Sequence, residues 1–184
     1  AAYQFDTQPK REIRDLTGLF ETAPPVMSAD TFAVDGTTSR LYRIDAATGW
    51  NQVLATTPWV ADTIAFDNDR RRLYYLQRDG YTLGSYAIDT KTHTVLGAIN
   101  QTGLNVIPSS RPTSLTCFNG ALYYIAPMTD DLIKIEIDSS GGLRQANKAA
   151  YVLNDAGHLG VVGALAVDGN GRLHIGSSTV FSSF

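Results

Sequence analysis

The sequence is poor in cysteine, in long hydrophobic runs and in charge of one sign. Cys117 is the only cysteine among 184 residues, so no disulfide forms within the chain and the redox compartment stays open. The longest apolar runs, such as GVVGALAV at 160–167, are far too short to span a bilayer. The formal net charge of −3 gives no reason to expect nucleic acid or an anionic membrane as partner. We therefore expect one globular domain without a membrane span.

Catalytic and metal-binding motifs are also missing. The histidines, His93, His158 and His174, stand in unrelated contexts without the spacing or the cysteine partners of a zinc site. No GxSxG elbow and no P-loop occurs. Cys117 lies next to Phe118 in an apolar segment, which fits a small buried thiol better than a nucleophile. We therefore predict no catalytic residue, no metal and no cofactor, and a protein that is not an enzyme.

What the sequence does contain is a repeated strand pattern. Three segments, 61–76, 112–125 and 162–175, share a short apolar strand, a turn rich in Asp, Asn or Gly, and a strand that opens with Leu and an aromatic residue or His. An Ile-Asp pair recurs at positions 44–45, 88–89 and 137–138. The period is about 44 to 52 residues with up to four strands per unit, which is typical of propeller blades.

Hydrophobic alternation favours strands over helices. In LIKIEID, Ile133, Ile135 and Ile137 face one way while Lys134 and Glu136 face the other. The first strands of the repeats, TIAF, SLTCF and ALAV, are more uniformly apolar or small, which predicts burial on both faces. The best helix signal, at 8–20, fits a short helix and an extended arm equally well.

The stretch LYYLQRDGYTLGSYAIDTKTHTVLGAI, at 73–99, resembles the YVTN-type β-propeller repeats of secreted and surface bacterial proteins. The resemblance implies an all-β, propeller-like fold and says little about function, because such propellers host many roles. We expect an N-terminal arm at 1–15 and a propeller-like domain at 16–184. Its four blades are predicted at about 16–57, 60–104, 111–155 and 161–184.

The short last blade leaves three arrangements open, namely a four-bladed ring, an open propeller, or a unit completed by another chain. A strand from the arm, carrying Tyr3 and Phe5, could complete the last blade of its own chain or of a neighbour. The second arrangement is head-to-tail and would build rings or filaments. The chain begins with Ala1 and Ala2 rather than Met, as after signal-peptide cleavage, and Asn100 opens a weak glycosylation sequon. We expect a secreted or surface location.

Loop residues at one mouth of the propeller are the best ligand-binding candidates. The turns between second and third strands and the connections that enter each blade should open on the same side. Carboxylates, guanidiniums and an aromatic ring there could hold a sugar or peptide, although solvated turns and a Trp packed between blades are the favoured interpretation. The candidates are Trp59, Arg78, Asp79, Arg111, Asp130 and Asp131. The DND at 67–69 and the DGNG at 168–171 are predicted to be tight turns rather than calcium loops.

These observations predict a non-catalytic extracellular structural or interaction module. In its most specific version, the module could self-assemble into a filament through N-terminal strand addition. Its expected partners are further copies of itself, or otherwise a protein or glycan at the propeller face. Two alternatives stay open. One is a glycan- or peptide-binding propeller, and the other is a small metal-dependent propeller lyase or lactonase that uses acidic loop residues.

Overall fold

The computed structural model describes residues 30–46, 48–78, 81–99, 114–126, 131–151, 162–168, 170–177 and 181–183. The chain divides into a unit at 1–30 and a larger unit at 31–184. Several predicted features lie outside the described residues: the arm with Tyr3 and Phe5, and the side chains of Asp79, Asn100, Arg111 and Asp130. The account below therefore concerns the larger unit.

In the described residues, fourteen strands form four antiparallel sheets, each built from strands that are consecutive in the chain. Sheet 1 contains β1 (Asp30–Asp35), β2 (Arg40–Asp45) and β3 (Asn51–Thr56). Sheet 2 contains β4 (Ala61–Asp67), β5 (Arg72–Gln77), β6 (Thr82–Ala87) and β7 (Thr92–Ala98). Sheet 3 contains β8 (Leu115–Phe118), β9 (Ala121–Ala126), β10 (Asp131–Ile137) and β11 (Leu143–Tyr151). Sheet 4 contains β12 (Val162–Val167), β13 (Leu173–Ser177) and β14 (Phe181–Ser183).

Strand pairing explains which side chains share a face. In sheet 2, Ile64 lies opposite Tyr75 and Phe66 lies opposite Leu73, so all four side chains project from one face. The adjacent Ala65 and Tyr74 form a pair on the other face. Because alternation gives this sheet two apolar faces, a neighbouring sheet is needed on each side.

A hydrophobic cluster lies between each pair of successive sheets. Leu41 of sheet 1 packs with Tyr75 of sheet 2, and Tyr74 of sheet 2 packs with Leu122 of sheet 3. A smaller cluster joins sheet 3 to sheet 4. The all-β, four-sheet, propeller-like arrangement is thus confirmed, and among the described residues no α-helix occurs, hence none able to cross a membrane.

Burial of the first strands on both faces is wrong for β12. Leu165 is buried against sheet 3, but Ala164 and Ala166 are exposed. The equivalent side chains of β4, Thr63 and Ala65, are only 7% and 6% exposed because sheet 3 covers them. The difference arises because, among the described residues, only sheet 3 packs against sheet 4, on the face that carries Leu165.

Candidate functional site at the upper end of the sheets

We give the name upper end to one edge of the sheets. In each four-stranded sheet, the first strand begins at this edge and the second strand ends at it. Contacts between sheets show that equivalent ends lie side by side. At the upper end, Arg78 of sheet 2 donates a hydrogen bond to the carbonyl of Gly36, in the turn between β1 and β2. At the opposite, lower end, Arg70 reaches the carbonyl of Gly120 in the turn between β8 and β9. Loops from successive sheets therefore converge at each end.

Arg78 is a predicted ligand residue that the structure places between two sheets. Its Nε and Nη2 atoms contact the Asp62 carboxylate at 2.7–3.1 Å, and Nη2 lies 2.7 Å from the Gly36 carbonyl oxygen. The hydrogen bond to Asp62 raises the pKa of the Arg78 guanidinium. Arg78 thus links sheet 1 to sheet 2, and its ligand role stays a prediction.

Trp59, the predicted aromatic ligand residue, is partly buried in the cluster between sheets 1 and 2. Its ring centroid lies 5.9 Å from that of Tyr75. The indole Nε1 is buried and has no hydrogen-bond partner among the described residues. The ring therefore packs as a core side chain while its N–H remains an unused donor, which a buried site rarely tolerates.

In sheet 3, sequence reasoning missed two further buried polar groups. Tyr124 is fully buried in β9, and its hydroxyl has no hydrogen-bond partner in the described part of the chain. Ser114, just before β8, is 8% exposed, and its Oγ atom is likewise buried without a described partner. Only the apolar alternation around them is visible in the sequence, so no local motif marks either group.

Asp131, a predicted ligand residue, begins β10 at this same end. It is two residues from Ile133, which pairs directly with Tyr124, so Asp131 lies on the face of sheet 3 that carries the phenol. Burial first, and then the charge of Asp131, raise the pKa of the Tyr124 hydroxyl. Tyr124 is therefore a neutral O–H donor throughout the physiological pH range.

At the lower end the carboxylates are occupied by their own turns, as Asp35 is at the upper end. Asp67, Asp138 and Asp168 each accept hydrogen bonds from backbone N–H groups two to four residues further on. The prediction of tight turns at 67–69 and 168–171 is confirmed by these bonds. His174, in β13, lies with its Nε2 atom 3.1 Å from Asp168 Oδ2.

His93 is one more partly buried polar residue that sequence reasoning did not single out. The Tyr75 hydroxyl and His93 Nδ1 form a hydrogen bond of 3.1 Å, and the ring centroids of Tyr86 and His93 are 4.8 Å apart. Desolvation lowers the pKa of His93, so the imidazole is neutral at pH 7. Its Nε2 atom is buried with no partner in the described ranges.

Metal-binding residues do not converge in the part of the chain that the structure describes. There, no three side chains of His, Cys, Asp or Glu lie together as metal ligands would. Cys117 is half-buried, and burial raises the pKa of its thiol to about 12. The described residues thus offer neutral hydrogen-bond donors at the upper end rather than a ligand set.

No protein-family model and no curated protein matches the chain. Its fold is similar to that of solved propeller-like structures, at identities that indicate fold alone. A Bacteroides thetaiotaomicron protein of unknown function gives a TM-score of 0.60 at 15% identity, with 81% of this chain and 40% of that chain covered. Virginiamycin B lyase from Staphylococcus aureus gives a TM-score of 0.53 at 15% identity, with 84% of this chain and 51% of that chain covered. A luciferin-regenerating enzyme gives a TM-score of 0.54 at 14% identity, with 84% of this chain and 56% of that chain covered.

The chain therefore spans about half the length of these structures. The prediction that the protein is not an enzyme is contradicted, because two of the three similar structures are enzymes by name. The prediction relied on the absence of short catalytic motifs. That absence is weak evidence in a propeller, where loops from several blades contribute to one mouth and share no fixed spacing.

Proposed function

We propose that this chain forms part of a β-propeller enzyme of the lyase or lactonase type, with its active site at the upper end of the sheets. The substrate is a small molecule in which an ester or lactone bond is opened. The single observation that carries the proposal is the fully buried Tyr124 hydroxyl, which has no hydrogen-bond partner in the described residues and belongs to a residue near the upper end of β9.

Opening an ester or lactone places negative charge on an oxygen atom in the transition state. A donor held in place in a water-poor site stabilises that charge more than water does, because it needs no reorganisation. Tyr124 fits this role, since its raised pKa keeps the proton on the phenol. An unused buried donor costs the free protein about 1–3 kcal/mol, and a bound carbonyl oxygen would recover that cost.

Buried donors, rather than carboxylates, favour the upper end. Carboxylates do not distinguish the two ends, because Asp138 and Asp168 at the lower end and Asp35 at the upper end are all bonded to their own turns. Three buried donors without a described partner lie at the upper end, in Trp59, Ser114 and Tyr124. Unsatisfied buried polar groups are uncommon in folded proteins, and these three share one end, whereas the buried His93 Nε2 atom lies toward the lower end.

The second candidate function is glycan or peptide binding at the same mouth. The partly buried Trp59 ring and the Arg78 guanidinium, which lie at the same end of the sheets, favour it, because aromatic and guanidinium groups suit sugar rings and peptide carboxylates. A secreted or surface location and self-association remain proposals that accompany either function.

Turnover of a substrate panel tests the enzymatic proposal. The panel contains simple γ- and δ-lactones, aryl esters and virginiamycin B, with loss of starting material followed by chromatography and mass spectrometry. The Tyr124→Phe variant is compared with Tyr123→Phe, its neighbour on the opposite face of β9. We expect Tyr124→Phe to lose about 10-fold or more in kcat and Tyr123→Phe to keep the rate. Binding of glycans without any turnover would instead support the second candidate.

A further inference from the structure

His93 lies on β7, the outer strand of sheet 2, at the junction with sheet 1. It pairs directly with Tyr86, so both side chains project from the same face of sheet 2. This face packs on sheet 1, where the Tyr86 hydroxyl donates a hydrogen bond to the Leu54 carbonyl of β3. Separation of sheet 1 from sheet 2 would therefore expose the imidazole to water.

The surroundings of this imidazole are aromatic and aliphatic. The ring centroid of Tyr86 lies 4.8 Å from that of His93, and the ring centroid of Tyr75 lies 6.1 Å from it. Burial raises the pKa of both tyrosine hydroxyls, so neither carries a charge at neutral pH. Sheet 1 contributes apolar side chains to the same cluster, namely Phe32, Val34, Leu41, Leu54 and Ala55.

Charged side chains border the junction toward its two ends. They are two ion pairs, Arg78 with Asp62 and Arg71 with Asp89, and two side chains on β2, Arg43 and Asp45. Alternation along β2 places the latter two on the face that carries the buried Leu41. Burial alone lowers the pKa of His93, with no contribution from a neighbouring charge. An imidazolium at this position would therefore have no counter-charge among the described residues.

Both ring nitrogens of His93 oppose the uptake of a proton. Nδ1 and the Tyr75 hydroxyl share a hydrogen bond of 3.1 Å, and Nε2 is buried without a partner in the described part of the chain. If Tyr75 donates to Nδ1, an added proton must displace that donor, because the neutral ring already carries its proton on Nε2. If Nδ1 donates to Tyr75, the added proton goes to Nε2, which has no acceptor. Either tautomer would become a buried cation with an unsatisfied donor.

We propose that His93 is an acid-sensitive switch, whose protonation separates sheet 1 from sheet 2 at β3 and the aromatic cluster. In the separated state the imidazole returns to water and to its ordinary pKa of 6.5. Below that pH the separated state binds a proton that the closed state excludes, so the equilibrium shifts toward separation as the pH falls. The switch is independent of the reaction proposed above.

Hydrogen exchange followed by mass spectrometry at pH 7.5, 6.5 and 5.5 tests the proposal. Protection factors remove the intrinsic effect of pH on exchange and report how often each strand opens. Between pH 7.5 and 5.5 we expect the protection of β3 to fall about 3- to 10-fold, since one proton is linked to opening. At pH 5.5 the protection of β3 should also be lower than that of β9 in sheet 3, because sheet 1 separates while the other sheets stay folded.

Two variants remove the titrating group. His93→Gln keeps a polar group that can bond to Tyr75, and His93→Phe keeps a ring that can pack on Tyr86, so the proposal stays testable if one of them fails to fold. In both, the protection of β3 should change less than about 2-fold over the same pH range. His174→Gln is the matched control, since His174 lies in sheet 4, and it should respond to pH as the parent does.

Circular dichroism and thermal melting at pH 7.5 establish that each variant is folded. Protection of β3 that does not depend on pH in the parent would overturn the proposal, as would a fall that persists in His93→Gln and His93→Phe. Loss of the response in His174→Gln would contradict the assignment to His93. Equal protection of β3 and β9 at pH 5.5 would show that the whole domain unfolds together, which would overturn a switch confined to one junction.

Discussion

The guanidinium of Arg78 joins the Asp62 carboxylate of its own sheet to the Gly36 carbonyl of the preceding one. Three contacts of 2.7–3.1 Å reach Asp62, and one of 2.7 Å reaches Gly36. Planar bidentate geometry of this kind suits arginine and not lysine. Asp62 and Gly36 are 26 residues apart in the chain, so one side chain fixes how two sheets meet at the upper end.

Replacing Arg78 with Ala should lower Tm, because it removes the contacts to both sheets and leaves the half-buried Asp62 without its cation. Arg78→Lys should recover only part of the loss in Tm, since the lysine ammonium cannot reproduce the planar, two-nitrogen contact of the guanidinium with Asp62. The matched control is Arg71→Ala, whose partner Asp89 is 62% exposed, and its Tm should change little. Equal shifts for Arg78→Ala and Arg71→Ala in differential scanning calorimetry would contradict this account.

The ring of Tyr75, in the neighbouring strand, leaves no room for a side chain at Gly84. The two residues are paired in β6 and β5, and a Cβ atom on residue 84 would overlap the Tyr75 ring carbons. Because Tyr75 is fully buried, its ring cannot move aside cheaply. Gly84→Ala should therefore reduce the free energy of unfolding by about 1–3 kcal/mol in urea denaturation. A variant as stable as the parent would show that this part of sheet 2 is loosely packed.

Stability should fall as the pH rises above about 9. Burial raises the pKa of Tyr74, Tyr75 and Cys117 to about 12 each, whereas their ordinary values are 10.0 for tyrosine and 9.0 for cysteine. At a pH between the ordinary pKa values and about 12, the unfolded chain has lost protons that the folded chain still holds. The free energy of unfolding therefore decreases with increasing pH in this window and is independent of these groups below it.

The Tyr74→Phe variant isolates one of these groups. It removes one titrating hydroxyl and a hydrogen bond of 3.4 Å to the Gly141 carbonyl, so its stability at pH 8 should fall slightly. Its loss of stability between pH 9 and about 11 should be smaller than that of the parent. Urea midpoints measured across this range check the slope, and parallel pH profiles for the two proteins would refute the role of Tyr74.

Much of the fold could be predicted because the repeat determines which face each strand residue occupies. The alternation of Ile133, Ile135 and Ile137 is confirmed by their burial in the cluster between sheets 2 and 3. Tyr86 and Ile88, which belong to the repeated stretch at 73–99, lie in the cluster between sheets 1 and 2. Period-2 patterns survive in the sequence because each apolar face is covered by a whole neighbouring sheet.

The candidate site could not be predicted in the same way. The contact from Arg78 to Gly36 joins residues 42 positions apart, and periodicity identifies the two sheets but not the two atoms. In the sequence, Tyr124 looks like any other aromatic residue of a strand. Whether its hydroxyl has a hydrogen-bond partner depends on the surrounding atoms, which the sequence does not give. The same limit produced the incorrect prediction of a non-enzyme, because converging loop residues leave no short motif.

The most direct measurement of the central claim is the position of a bound lactone in a crystal of the protein. The ligand is the member of the substrate panel with the highest turnover, soaked into crystals of the slow Tyr124→Phe variant and of the parent. In the parent we predict the lactone carbonyl oxygen about 2.7 Å from the Tyr124 hydroxyl oxygen, the distance of a strong O–H···O bond. A lactone bound elsewhere, with the Tyr124 hydroxyl untouched, would contradict the proposed site.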